Sequence, residues 1–181
     1  MGVIKHNSLP VDHLNTIFMG VDQSLTHTGL CFLEKHSSCI EVVHSEGIST
    51  IASDFIENRL FHIVTRVREL ILKFKPGCIC IEGLAYQVKG TNNGSQLGGL
   101  FFSLLILFVE LKIPYRVVNI KTLKKASTGN GAASKIEMEN FIEDSVADKL
   151  SSLCGKKRGS KLFEDIVDSY WLANYGCNLG L

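Results

Sequence analysis

The sequence has little of what marks several large classes of protein. Only 3 of its 181 residues are proline, and 19 basic against 18 acidic residues leave a net charge of +1. Scarce proline and a 45% hydrophobic fraction exclude a disordered or collagen-like chain. Near-neutrality disfavours a protein that coats nucleic acid through bulk charge. The length is that of one ordinary domain with its own hydrophobic core.

The chain also lacks the spacings that serve zinc sites and acyl-transfer enzymes. It contains no C-x-x-C pair, no G-x-S-x-G motif and no histidine after His62. The six cysteines are therefore predicted to be reduced thiols that act as small buried residues, as expected of a cytoplasmic protein. Zinc ligation and a nucleophile activated by a late histidine are both disfavoured.

No long hydrophobic run is present. The apolar stretch 97–109 is too short to span a bilayer, and we expect it to form a buried core helix. Residues 1–15 contain no apolar region of the kind found in signal peptides, and we expect them to be a flexible extension. We place the folded domain at residues 16–176, with a short tail at 177–181.

The pattern of apolar residues predicts three opening strands at 16–21, 28–33 and 39–48, followed by a helix at about 54–74. Further strands are predicted at 78–81 and 114–118. Helices are predicted at 97–109, 122–125 and 162–175, with Gly176 as the stop of the last one. A capping box formed by Ser134 and Glu137 starts an acidic helix, and 150–161 is expected to be a loop. This order indicates a mixed sheet with helices packed on it.

Four carboxylates occupy unusual places. Asp22 and Glu82 each end an apolar strand, where an ionised group is costly unless it is paired or bound to metal. Asp165 and Asp168 are three residues apart in the last helix and so share one face. Taken singly, a strand-end acid can cap a turn, and the helical pair can be a solvated stripe. Together they could bind Mg²⁺ or Mn²⁺ and hydrolyse a phosphodiester by a two-metal mechanism.

Positive charge is concentrated in one stretch of the chain. Residues 83–135 contain seven basic residues and one acidic residue, so this stretch carries +6 and the rest of the chain −5. Lysines flank the Gly-rich segment 128–133, whose backbone N–H groups could approach phosphates. The alternative is a solvated surface loop. The lysines in question are Lys121, Lys124, Lys125 and Lys135.

A polar loop after Glu82 contains an aromatic residue. Tyr86 follows Glu82 by four residues, in the same loop as Lys89. An aromatic ring in this position could stack on an unpaired base. It could equally pack on the protein core.

Four segments in order resemble one known family, the RuvC-type Holliday junction resolvases, and are closest to its bacteriophage branch. Residues 20–29 (GVDQSLTHTG) are similar to the family's first-strand motif. Residues 81–86 (IEGLAY) with 96–99 (QLGG) are similar to its fourth-strand motif and following helix. Residues 122–131 with Lys135 are similar to its basic loop, and 165–173 (DIVDSYWLA) to its last helix. Bacterial members have Pro-Gly after the first Asp, where this chain has Gln23 and Ser24.

The resemblance implies an RNase H-like α/β fold, with a mixed five-stranded sheet and helices on both faces. It implies that Asp22, Glu82, Asp165 and Asp168 are catalytic and hold two Mg²⁺, which Mn²⁺ can replace. It also implies a homodimer that nicks two strands of a four-way DNA junction. Tyr86, Lys89, Lys121, Lys124, Lys125 and Lys135 are the expected DNA-binding residues.

Two other classes of function remain as alternatives. The segment after Asp22 also resembles the phosphate loop of actin-like and sugar-kinase phosphotransferases, but those proteins need a second similar domain. A non-catalytic binder of branched nucleic acid, or a nuclease that acts on structured RNA, is the other alternative. Cleavage of labelled junctions and forks separates these classes.

Overall fold

The computed structural model describes residues 16–84 and 92–179. The strands in this part of the chain are β1 (Thr16–Asp22), β2 (His27–Lys35), β3 (Ile40–Ser49), β4 (Cys78–Glu82) and β5 (Tyr115–Val118). The helices are α1 (Ile56–Phe74), α2 (Asn92–Glu110), α3 (Ile120–Thr128), α4 (Lys135–Asn140), α5 (Asp144–Cys154) and α6 (Lys161–Leu179). The predicted extension at 1–15 lies outside the described residues.

The strands form one mixed sheet in the order β3-β2-β1-β4-β5. The first three strands are antiparallel neighbours, and β1, β4 and β5 run parallel to one another. The prediction of an opening meander followed by alternating helices and strands is confirmed. Because Val21 lies opposite Ile81 in the parallel pair, Asp22 and Glu82 emerge at the same edge of the sheet.

Helices cover both faces of the sheet, which explains why the central strands are apolar throughout. On one face, Met19 and Ile79 pack against α1 and α2. On the other, Phe18 and Cys80 pack against the later helices, chiefly α6. A strand that is buried on both faces has no polar alternation, so its sequence is a continuous apolar run.

The backbone of α6 lies directly against β1 and β2 because both strands present glycine there. A Cβ atom on Gly20 would stand 1.9 Å from the carbonyl oxygen of Ser169. A Cβ atom on Gly29 would stand 2.2 Å from the carbonyl oxygen of Asp165. These two contacts fix the height of α6 above the sheet, and with it the position of the residues α6 carries.

The prediction that Gly176 stops the last helix is wrong. The helix α6 continues to Leu179, and Cys177, expected in the tail, is completely buried. A Cβ atom on Gly176 would stand 3.2 Å from both Phe18 and Cys80. The glycine is there because the helix approaches β1 and β4 closely, and sequence alone cannot distinguish this use from a helix stop.

Other predicted boundaries also differ from the structure. The loop expected from residue 150 is helical as far as Cys154, where α5 ends before Gly155 with φ +65°. Helix α1 begins at Ile56, two residues after the predicted start, and the Asp54 side chain accepts a hydrogen bond from the Phe55 N–H. The capping box of Ser134 and Glu137 is confirmed.

The cysteines are all free, and most are buried as predicted. Cys31, Cys78, Cys80 and Cys177 are buried, whereas Cys154 is partly buried and Cys39 is exposed. Within the described ranges, no helix has both the length and the apolar character needed to cross a membrane.

We predict that Gly20→Ala lowers the free energy of unfolding by about 2–3 kcal/mol, because the new methyl group meets a backbone oxygen that cannot move independently of α6. Chemical denaturation measures this loss. The matched control is Gly98→Ala in α2, where a Cβ atom meets nothing within 4 Å. Equal stability of the two variants would contradict the close contact of α6 with β1.

Candidate active site

Four carboxylates meet at the edge of the sheet where β1 and β4 end. Asp22 is the last residue of β1 and Glu82 the last of β4. Asp165 and Asp168 lie on the first turns of α6, which packs across both strands. The negative charges of the other three all act on Asp22. The structure therefore brings together the four acidic residues that the sequence singles out.

Burial makes the ionised form of this cluster costly. It raises the pKa of Asp22 well above its usual value, and the charges of Asp168, Glu82 and Asp165 raise it further. Burial also raises the pKa of Glu82 to about 7, with Asp168 as the next cause. The pKa of Asp168 is raised by burial as well. The cluster is therefore a site that attracts protons or cations.

Lys135 supplies positive charge to the cluster. Its Nζ lies 2.8 Å from Asp168 Oδ2, 3.6 Å from Asp165 Oδ1 and 4.0 Å from Glu164 Oε2. Burial alone would lower the pKa of Lys135, but the charges of Asp168, Asp22 and Asp165 raise it above its usual value. Lys135 follows the Ser134 cap as the first residue of α4, so the capping box sets its place beside α6.

The other lysines singled out in the sequence are placed differently. The charge of Lys124 opposes the rise in the pKa values of Glu82 and Asp168, so Lys124 also lies within electrostatic range of the cluster. Lys121 and Lys125 are exposed on α3 and line a shallow depression beside Gly131. Tyr86 and Lys89 lie outside the described residues.

The site contains two polar residues to which the sequence analysis gave no role. His27 Nδ1 lies 2.9 Å from Asp165 Oδ2. The Gln23 side-chain amide donates to the carbonyl oxygen of Glu82 at 2.9 Å, and so links the ends of β1 and β4. Both residues lie in the segment 20–29, but only their burial beside the carboxylates reveals them.

The donor set fits a hard divalent cation. All four side chains offer oxygen, and Asp168 Oδ1 is buried without a hydrogen-bond partner among the described residues. In residues 16–84 and 92–179, no three His, Cys, Asp or Glu side chains are grouped closely enough to hold a metal ion as they stand. In this arrangement the ammonium group of Lys135 balances the carboxylates.

Comparison with protein-family models gives a match over residues 18–148 to the model described as crossover junction endodeoxyribonuclease RuvC. A protein of that name from Brachyspira hyodysenteriae is 28% identical over 159 residues, which are 83% of this chain and 99% of the relative. Another from Photobacterium profundum is also 28% identical, over 70% of this chain and 72% of the relative. The family match ends before Asp165 and Asp168.

Solved structures extend the likeness over the whole fold. A structure described as T. thermophilus RuvC in complex with Holliday junction substrate has a TM-score of 0.70 at 21% identity, covering 91% of this chain and 96% of that chain. The fowlpox virus Holliday junction resolvase has a TM-score of 0.55 at 14% identity, covering 91% and 99%. These likenesses confirm the expected fold.

We predict that Glu82→Gln stabilises the protein in the absence of divalent metal, increasingly so as pH rises from about 4.5 to about 7. The folded-state pKa of Glu82 is about 7 against a usual 4.5, so the wild type loses stability as this group ionises across that window. Gln cannot ionise. Above pH 7, the free energy of unfolding of Glu82→Gln should exceed that of the wild type by about 2 kcal/mol more than it does below pH 4.5, after allowance for solvent screening.

Thermal melting in EDTA at several pH values measures this gain. The control is Glu57→Gln, which removes the same charge from the exposed first turn of α1. If the stability gained by Glu82→Gln decreases between pH 4.5 and 7, the Glu82 carboxyl is not destabilised by burial and by the neighbouring negative charges.

Proposed function

Because the chain belongs to the family of the crossover junction endodeoxyribonuclease RuvC, we propose that it is a metal-dependent endodeoxyribonuclease that resolves Holliday junctions or related branched DNA. The observation that carries this proposal is the convergence of Asp22, Glu82, Asp165 and Asp168 at one sheet edge, beside Lys124 and Lys135. The reaction is hydrolysis of a phosphodiester bond in each of two strands.

Asp22, Glu82, Asp165 and Asp168 would hold Mg²⁺, with two ions in the site and Mn²⁺ as a substitute. When bound, such ions activate water and stabilise the leaving oxygen of a phosphodiester. The contribution of the chain is to keep these oxygens at the junction of β1, β4 and α6. The orphaned Oδ1 of Asp168 and the mutual repulsion around Asp22 support a cation at this position.

The two lysines that face the cluster would position the DNA. Lys135 and Lys124 come from α4 and α3, two helices that both pack against α6. With metal ions held by the carboxylates, the ammonium group of Lys135 would be available to a phosphate oxygen. Phosphate contacts of this kind fix the register of the scissile bond and carry no base preference.

A homodimer would allow paired cuts in a junction with two-fold symmetry. Helix α2 offers a surface for a second copy of this chain, because Phe102, Ile106 and Val109 are apolar, exposed and spaced to share one face. Their exposed fractions are 58%, 67% and 63%. An apolar face of this kind on a surface helix is typical of a protein–protein interface.

We predict that Asp168→Asn abolishes junction cleavage, by about 10³-fold or more, while the affinity for the junction is kept. The variant loses a metal-binding charge but no phosphate-binding group. The measurement is cleavage of labelled four-way junctions and forks in Mg²⁺ and Mn²⁺, with binding measured separately in EDTA. The control is Glu164→Gln on the same helix, at the margin of the cluster.

Four results would refute this proposal or redirect it. Failure of the wild type to cut any branched DNA under either metal contradicts it. Tight binding without cutting favours the non-catalytic binder, and preferential cutting of structured RNA favours the ribonuclease. Loss of junction binding together with cleavage in Asp168→Asn would indicate that this residue acts structurally.

We predict that Ile106→Glu shifts the protein from dimer to monomer and uncouples the two cuts, because a buried unpaired charge opposes association. Sedimentation measures the state of assembly, and cleavage of a supercoiled cruciform distinguishes paired from single nicks. The control is Phe141→Glu, an equally drastic change on the exposed end of α4, in the helical layer on the other face of the sheet. A dimeric Ile106→Glu variant would exclude this face as the interface.

A further inference from the structure

His27 is a buried histidine that joins the sheet to Asp165. Its side chain is 4% exposed, and Nδ1 lies 2.9 Å from Asp165 Oδ2. Because an ionised carboxylate only accepts hydrogen bonds, Nδ1 carries the proton and donates it. The second ring nitrogen, Nε2, is buried and has no hydrogen-bond partner in the described part of the chain. The polar contact of this ring is therefore directed at one group, the carboxylate of Asp165.

A glycine on the neighbouring strand makes room for the ring. Gly47 of β3 lies opposite Gly29 in the pairing with β2. A Cβ atom on Gly47 would stand 2.3 Å from Nε2 of His27 and 2.6 Å from its Cε1. The imidazole therefore rests on the bare backbone of β3 and cannot retreat from α6 on that side.

The same strand fixes the backbone of Asp165. His27 and Gly29 are two residues apart in β2, so both point to the face on which α6 packs. Gly29 lets the carbonyl oxygen of Asp165 approach the strand, while His27 holds its carboxylate. Strand β2 thus determines both where Asp165 sits and how its side chain is turned.

The hydrogen bond leaves the two oxygens of Asp165 in different surroundings. Oδ2 accepts from His27, and Oδ1 lies 3.6 Å from the Lys135 ammonium, which also contacts Asp168. Rotation of the carboxylate would break the bond to His27 and leave Nδ1 buried without a partner. A buried donor without a partner is costly, so the orientation is enforced.

We infer that His27 is a positioning residue that holds Asp165 with Oδ1 directed at the bound metal ion. The inference rests on the proposed function, because it takes Asp165 as a metal ligand. Removal of a group that orients a metal ligand in this way typically lowers metal affinity or activity by about 10–100-fold.

Two substitutions separate positioning from simple space filling. His27→Leu keeps an apolar group of similar size but removes the donor. His27→Asn places an amide nitrogen near the position of Nδ1 and restores it. Titration of the DNA-free protein with Mn²⁺, followed by electron paramagnetic resonance, measures metal affinity without reference to catalysis.

We expect His27→Leu to weaken Mn²⁺ binding about tenfold or more, and His27→Asn to stay within about threefold of the wild type. Junction affinity in EDTA should be the same for all three proteins. Cleavage by His27→Leu should recover as Mn²⁺ is raised. Melting curves in EDTA show that each variant is folded.

A third substitution tests the same contact without altering the histidine. Gly47→Ala forces the imidazole to shift, so it should reproduce the loss of Mn²⁺ affinity. The shorter side chain of His27→Asn leaves the space beside Gly47 free. In that background Gly47→Ala should have no further effect on Mn²⁺ binding.

Wild-type Mn²⁺ affinity in His27→Leu would overturn the inference. So would a folded His27→Asn variant that binds Mn²⁺ as weakly as His27→Leu. Failure of the proposed function gives a different result, since the wild type itself would then neither bind Mn²⁺ at this site nor cut a junction.

Discussion

The constraint on which the rest of the site depends is mutual repulsion among carboxylates that are held together in a partly buried cluster. The negative charges of three other acids repel the carboxylate of Asp22, and burial alone already disfavours its ionised form. Such an arrangement weakens the folded protein unless a cation compensates it. In this structure the compensation comes from the Lys135 ammonium group. A pair of divalent cations would relieve the same repulsion, so the proposed metal ions and the Lys135 ammonium group would compete for one set of oxygens.

Close packing of backbone against backbone keeps that cluster from relaxing. Gly20 and Gly29 let the backbone of α6 lie directly on β1 and β2, and Gly176 lets the far end of the helix approach the side chains of Phe18 and Cys80. The acids on α6 cannot move away from the strand ends without lifting the helix from the sheet. Rigid placement of this kind is what a preorganised site requires. Gly20 and Gly29 of the segment 20–29 thus fix the position of α6, a helix that is distant in sequence and carries two of the four acids.

Much of this molecule can be predicted from sequence because its signals are local. Asp22 and Glu82 stand out as charges that end apolar strands, and Asp165 with Asp168 as like charges on one helical face. The mixed sheet follows from the order of strands and helices. Boundaries are less certain, because Gly176 has the same appearance whether it ends a helix or lets one approach a strand. Helix α5 extends into a polar segment for which composition favours a loop.

The sequence by itself determined the kind of groups available for the proposed chemistry: carboxylates at two strand ends and on one helix, with lysines in an adjoining basic stretch. Only the tertiary structure decided which groups meet. Lys135 contacts the carboxylates and the charge of Lys124 acts on them, whereas Lys121 and Lys125 are exposed on α3 beside Gly131. The role of His27 follows only from the packing of β2, β3 and α6, because its partner Asp165 is 138 residues away in sequence. Residue type and local spacing determine which chemistry a side chain can perform, and long-range packing determines which other residues it contacts.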